Sequence, residues 1–274
     1  MADVPRITLS DDVSIPQLGL GVFQVPDHEA ADAVLAALDS GYRSIDTAAV
    51  YRNERGVGEA LARADVPRDD VFVTTKLWND DQGFDAALQA FEASRERLGL
   101  DVVDLYLIHW PCPARDAYVE SWRAMIQLRD EGKVRAIGVS NFMREHLQRL
   151  LDETGVTPAL NQVELHPRLQ QEELRAFHAQ HGIATEAWSP LAQAQLLDDP
   201  VVTAIADDLD VSPAQVVLRW HIQLGNVVIP KSVTPSRIAS NIDVFDFALD
   251  KAAMDAVGAL NQDARIGPDP RTFC

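Results

Sequence analysis

Four side chains of the 274-residue sequence carry complementary acid–base chemistry: Asp46, Tyr51, Lys76 and His109. A free phenol titrates near pH 10 and a free lysine at about 10.4, so tyrosine alone is a poor proton donor at neutral pH. Lys76 held as a cation beside Tyr51 is expected to lower the phenol's pKa. Asp46 paired with Lys76 would keep that ammonium in place. His109 adds a hydrogen-bond donor for the oxygen that the phenol protonates. Such a set delivers a proton to a developing alkoxide and wants a hydride donor on the other side. Each residue also has an ordinary reading: Asp46 as a helix N-cap, Lys76 as a solvated strand end, His109 as a structural histidine, Tyr51 as a loop aromatic. Their joint occurrence at the ends of neighbouring apolar runs favours the chemical one.

Other chemistries lack their residues. No His-x-His pair marks a metal-dependent barrel hydrolase, and no metal site is expected; His178 and His181 read as a solvated helix face. Gly138-Val139-Ser140-Asn141 stops short of the Gly-x-Ser-x-Gly elbow of a serine hydrolase. Gly19-Leu20-Gly21 and Gly56-Val57-Gly58 lack the third glycine that a dinucleotide-binding open sheet carries.

The elements that must position these groups alternate along the chain. Short apolar runs occur at Leu18–Phe23, Ser44–Asp46, Val71–Lys76, Val103–His109, Ala136–Asn141, Ala159–Gln162, Ile183–Trp188 and Val227–Lys231. Helical periodicity lies between them, as in Glu29–Leu38, Asp85–Leu98, Tyr118–Arg129, Glu145–Leu151 and Gln171–His178. Ser212-Pro213 and Thr234-Pro235 each place a capping hydroxyl before a proline at the first helical position. Gly41, Gly99, Gly132 and Gly182 stand where left-handed C-caps are wanted. Continuous apolar strands alternating with helices predict a parallel sheet, and this number of units in this length fits a closed (β/α)8 TIM barrel. Ile7–Ile15, split by Asp11-Asp12, reads as a preceding N-terminal β-hairpin, and Asp250–Leu260 as an extra C-terminal helix. No linker or composition break divides the chain, so residues 1–274 read as one domain. In such a barrel the strand ends Asp46, Lys76, His109, Ser140-Asn141, Gln162 and Lys231-Ser232 emerge on one face.

The net charge of −18, from 24 basic and 42 acidic side chains, argues against nucleic-acid or anionic-membrane binding. Only two cysteines occur, Cys112 and Cys274, and they read as reduced thiols of a cytoplasmic protein. The N-terminus lacks a signal-peptide apolar core, and no uncharged apolar stretch approaches the ~20 residues of a membrane helix.

Several segments resemble the aldo-keto reductases: Gly41-Tyr42-Arg43-Ser44-Ile45-Asp46-Thr47-Ala48 with Tyr51 and Asn53-Glu54, Leu105-Tyr106-Leu107-Ile108-His109-Trp110-Pro111, Gly138-Val139-Ser140-Asn141-Phe142 and Ile229-Pro230-Lys231-Ser232. They run in family order over essentially the whole chain, which is most similar to the short prokaryotic members. The resemblance implies an NADPH-dependent carbonyl reductase with Tyr51 as general acid, Asp46 and Lys76 tuning it, and His109 orienting the carbonyl. It further implies that Ser140, Asn141 and Gln162 bond the nicotinamide carboxamide, and that the ring stacks on Trp188, where many relatives carry tyrosine. Ser189, Leu191, Ile229, Val233 and Ser240 would complete the cofactor contacts. Lys231, Ser232 and Arg237 match the segment that grips the 2′-phosphate, and Asn241 the adenine contact. The helix start at Thr234-Pro235 would add backbone donors. A close charge pair in a partly exposed site is worth up to about 4 kcal/mol before desolvation, enough to outweigh screened repulsion, so NADPH is expected over NADH.

Phe23, Trp78, Trp110 and Phe142 are expected to wall the substrate mouth beside His109, while Trp122 and Trp220 read as core. The short segment Leu191–Asp198 and the short tail after Arg265 suggest a broad range of aldehydes, ketones, dicarbonyls and keto-sugars. Cys274 could reach the rim, but a lone terminal thiol reads as a disordered end. A monomer is expected. The alternative from another class is an NADP(H)-binding redox sensor or structural barrel with incidental turnover, against which the intact proton-donor set argues.

Overall fold

A computed structural model describes residues 4–9 and 13–274. Strands β1 (Arg6–Thr8) and β2 (Ser14–Pro16) pair antiparallel, with Ile7 opposite Ile15. This is the expected hairpin; its Asp11-Asp12 turn lies outside the described residues. The hairpin seals one end of the molecule, where Leu9 and Ile15 are buried with Phe72, Leu105, Leu107 and Leu160.

Eight parallel strands follow in sequential order: β3 (Leu20–Gly21), β4 (Ser44–Asp46), β5 (Phe72–Leu77), β6 (Val103–Ile108), β7 (Val134–Ser140), β8 (Leu160–Glu164), β9 (Ala184–Trp188) and β10 (Val227–Val228). Parallel bridges from Leu18 to Val228 and from Gly21 to Lys231 join the two edges and close the barrel. Closure removes the free strand edges, and the paired strands bury side chains on both faces, hence the continuous apolar runs.

The helices are α1 (Asp27–Asp39), α2 (Glu54–Arg63), α3 (Phe84–Leu98), α4 (Tyr118–Asp130), α5 (Arg144–Thr154), α6 (Glu172–His181), α7 (Pro200–Leu209), α8 (Pro213–Gln223), α9 (Pro235–Ile242) and α10 (Lys251–Gly258). Gly41, Gly99, Gly132 and Gly182 all have positive φ, as their cap positions require. Ser212 caps α8, accepting from Gln215 N while the Gln215 side chain reaches back. Thr234 departs from its expected role: its side chain makes no cap, and its N–H instead donates to Ser232 Oγ. Trp122 and Trp220 are core residues, as read. His178 is not on a solvated face. It is fully buried between Asn161 and Thr185, and burial lowers its pKa to about 3.

The cysteines also correct the sequence reading. Cys112 and Cys274 are joined in a disulfide whose Cα atoms are 4.4 Å apart across 162 positions of sequence. Neither is a free thiol, and the terminus is held. Sequence spacing could not reveal this, because only the folded tail, running from Glu164 and Trp188 to Trp110, reaches the loop after β6. Reduction, or Cys274→Ser, should lower unfolding free energy by about 2–4 kcal/mol, read as a shift in the urea midpoint. An unchanged midpoint would mean that the bond constrains nothing. Among the described residues, no helix is long and apolar enough to cross a membrane.

Candidate active site

Asp46 ends β4 and Lys76 lies near the end of β5, so the two project to one point inside the barrel mouth. Lys76 is fully buried. Its ammonium reaches Asp46 Oδ1 at 2.6 Å, the Thr47 carbonyl at 2.9 Å and the Tyr51 hydroxyl at 3.4 Å. A lysine has three N–H donors, and each has an acceptor here. Because Tyr51 Oη accepts from Lys76, its own proton must point elsewhere, and the rest of the ring lies at the open mouth.

Tyr51 ends a short turn, Ala49–Tyr51, followed by left-handed Arg52. The neighbouring Asn53 fixes that turn: its amide donates to the Val22 and Val25 carbonyls and accepts from Thr47 Oγ1. Glu54 binds Thr75 and Arg97, tying the start of α2 to the strand that carries Lys76. The Asn53-Glu54 pair is thus what holds Tyr51 against Lys76.

Burial pushes the Tyr51 phenol above its ordinary value; the Lys76 charge and hydrogen bond pull it down but offset only part of this, and Asp46 and Glu186 add to the rise. The expected acidic phenol is therefore not what the folded chain holds. Desolvation, invisible in the sequence, outweighs the neighbouring cation. Burial would drive Lys76 down, but Asp46 and Tyr51 leave it above its ordinary value, so the ammonium stays charged. Burial, then Lys76, holds His109 well below the usual histidine range. The imidazole is therefore neutral; its Nδ1 has no hydrogen-bond partner among the described residues. Its ring packs edge-on against Tyr51 and Trp78, centroids 5.6 and 5.3 Å apart.

Three amide and hydroxyl groups sit beside this set. Ser140 Oγ donates to the Gln162 carbonyl at 2.8 Å. Asn141, in a left-handed conformation, donates to the His109 carbonyl and Ser140 Oγ, and its Oδ1 accepts from Trp188 Nε1 at 2.8 Å. Gln162 Nε2 donates to Asp46 Oδ2 and Glu186 Oε2, both at 2.8 Å. Gln162 Oε1 accepts nothing among the described residues.

A cavity of about 670 Å³ runs from Phe23 to the start of α9. Ser189, Leu191, Lys231, Ser232, Val233, Arg237, Ser240 and Asn241 line it, as the resemblance implied. Ser140, Asn141, Gln162, Trp188 and Ile229 do not line it; Ile229 is buried in the barrel wall, with its carbonyl against Gly21. Gln193 and Leu197 line the cavity although no charge or pattern marks them in the sequence, and Ser212, which the sequence marks only as a helix cap, lines it too. Lys231 and Arg237 have no ion-pair partner among the described residues, so this end of an acidic protein presents two uncommitted cations. Such a groove fits a long ligand with an anionic end, as an adenine dinucleotide phosphate is.

At the mouth, Phe23 is 53% exposed and packs 5.1 Å from the Tyr51 ring, while Trp78 is half-buried and Trp110 is 7% exposed. Phe142 is not a mouth residue: it is fully buried against Tyr118 and His146. The tail supplies the missing wall. Phe273 packs 4.6 Å from Trp110, held there by the disulfide. The tail's root is fixed where Glu164 accepts from the backbone of Ile266 and Gly267. A side chain at Gly267 would meet the Trp188 ring at 2.5 Å, so only glycine allows the tail this close.

The comparisons agree with this geometry. A match to the Aldo/keto reductase family spans residues 17–262. An aldo-keto reductase of Mycolicibacterium smegmatis is 60% identical over 269 residues, covering 98% of each chain. Methylglyoxal reductase DkgA of Escherichia coli K12 is 54% identical over 275 residues, covering 100% of this chain and 99% of its own. The crystal structure of a Gox0644 mutant in complex with NADPH superposes with a TM-score of 0.96 at 48% identity, covering 100% of both chains. With its closed barrel and its strand-end cluster of acid, phenol, lysine and histidine, the chain belongs to the aldo/keto reductase family.

Proposed function

We propose that the protein reduces small aldehydes and dicarbonyls, methylglyoxal among them, to alcohols with NADPH, and that Tyr51 is the proton donor. Keto-sugars small enough to pass the tail belong to the same class. The observation that carries the reading is the saturated Lys76 ammonium, which binds the Tyr51 oxygen and leaves the phenolic proton for the mouth.

Bound NADPH supplies the hydride for the carbonyl carbon. The rest is the work of the chain. Neutral His109 donates a hydrogen bond to the carbonyl oxygen and orients it. Tyr51, whose raised pKa keeps it protonated at neutral pH, passes its proton to that oxygen as charge develops. Lys76 then stabilises the phenolate left behind, so the cation acts on the product of proton transfer rather than by ionising the resting phenol. Asp46 keeps Lys76 in place. Ser140, Asn141 and Gln162 orient the nicotinamide carboxamide, and Trp188 offers its face to the ring.

Lys231 and Arg237, supported by Ser232, hold the 2′-phosphate, and Asn241 meets the adenine. The unpaired cations in the groove and the NADPH complex of the Gox0644 relative support this assignment. The tail, with Phe273 over Trp110, favours small substrates; the name of the Escherichia coli relative points the same way. Dependence on NADPH suits the cytoplasm.

The test is loss of reduced-nicotinamide absorbance with methylglyoxal and a panel of aldehydes, diketones and keto-sugars. Consumption of NADPH with methylglyoxal is expected; none across the panel would overturn the reading. Combining Lys231→Ala with Arg237→Ala should weaken NADPH binding by about 10- to 100-fold and NADH by less than about threefold. An equal loss for both would remove the phosphate contact from the account.

A further inference from the structure

Glu186 is a buried carboxyl that the mechanism above does not use. It lies on β9, in register with Gln162 on β8, so both side chains project to the same face of the sheet. It is 1% exposed. Its Oε2 accepts from Gln162 Nε2, whose other hydrogen goes to Asp46 Oδ2. The atom facing both carboxyls must be the nitrogen, because an amide oxygen there would meet Asp46 Oδ2 with no hydrogen between them. With both N–H groups taken, the orientation of the amide is settled, and its oxygen is left as an acceptor.

Resting on the reading above, we propose that Glu186 is a positioning residue: by accepting the second hydrogen of Gln162, it fixes that amide with Oε1 presented to the nicotinamide carboxamide. A hydrogen bond to Asp46 alone keeps the nitrogen on that side but lets the amide swing about this single bond, so Oε1 is no longer held in one direction. Glu186 thereby links cofactor orientation to the same carboxylate that anchors Lys76.

The shared amide also places Glu186 in the field of the proton donor. The titratable groups that face it are Asp46 from β4, Lys76 from β5 and Tyr51 from the turn after β4; the flanking strands contribute neutral Gln162 and Val227. Burial, then Asp46, pushes Glu186 up to about 8, against the opposing pull of Gln162 and Lys76. Below that pH the group is neutral. Above it, a second negative charge beside Tyr51 makes the phenolate harder to form, so reduction slows as pH rises.

The test compares Glu186→Leu, which removes the acceptor, with Glu186→Gln, which keeps an acceptor oxygen but cannot ionise. NADPH affinity is read by quenching of tryptophan fluorescence, and folding by circular dichroism. Folded Glu186→Leu should bind NADPH about tenfold more weakly, the loss expected for one strong hydrogen bond, while Glu186→Gln stays within about twofold. The wild-type rate should fall above about pH 8, and that limb should move upward in Glu186→Gln. Folded Glu186→Leu binding NADPH as tightly as wild type would overturn the proposal. So would an unmoved alkaline limb in Glu186→Gln, which decides the matter if the leucine variant does not fold. Failure of the functional reading is distinct: wild-type protein would then neither bind nor oxidise NADPH.

Discussion

Tyr51→Phe should bind NADPH as tightly as the parent and lose about 10²- to 10⁴-fold of its turnover with methylglyoxal, the usual worth of a positioned general acid. Phenylalanine keeps the ring that packs against Phe23 and His109, so the mouth retains its shape. What goes is one hydroxyl, 3.4 Å from Lys76. The loss should fall on kcat, because proton transfer is felt in the transition state and not in ground-state binding. A variant turning over at the parent rate would put the proton source elsewhere.

Lys76→Met should be inactive by a different route and should also be the less stable protein. Lys76 and Asp46 form an ion pair at 2.6 Å with almost no solvent access. Removing one partner leaves the other charge buried, which costs about 3–5 kcal/mol. Adding Asp46→Asn to Lys76→Met should restore much of the stability, because the uncompensated charge is gone. It should restore no activity, since the phenolate left after proton transfer still lacks a cation. The double-mutant comparison by urea denaturation and turnover separates the two roles. Recovery of activity together with stability would show Lys76 to be structural only.

The parts of this site that were legible in the sequence are those written at strand ends. Asp46, Lys76 and His109 each stop an apolar run, and parallel topology brings such ends to one face whatever their separation along the chain. Glycines at the cap positions located the turns. What depended on burial was not legible. The charge of Lys76 is legible beside Tyr51 but the desolvation that outweighs it is not, so the sequence alone points the phenol's shift the wrong way. Phe142 follows Asn141 at a strand end yet turns into the core against Tyr118. His178 shares the buried face of α6 with Leu174 and Phe177, but its polar partners Asn161 and Thr185 come from strands that only the fold brings beside it.

Two features needed three-dimensional proximity. Glu186 lies in an apolar stretch, Ala184–Trp188, where a lone acid is the signal that a strand faces a polar interior; its partner on the next strand gives it meaning. The Cys112–Cys274 pair links a loop to the terminus, and no local pattern encodes that contact. The tail it holds changes the view of the pocket, since Phe273 takes the place at the mouth that Phe142 was expected to fill.

A crystal structure with the oxidised cofactor and a bound carbonyl analogue tests proton delivery most directly. The account predicts Tyr51 Oη within about 3 Å of the analogue's oxygen, next to C4 of the nicotinamide, with Lys76 still on its far side. A hydroxyl turned to solvent, or an analogue oxygen bound only by other groups, would contradict it.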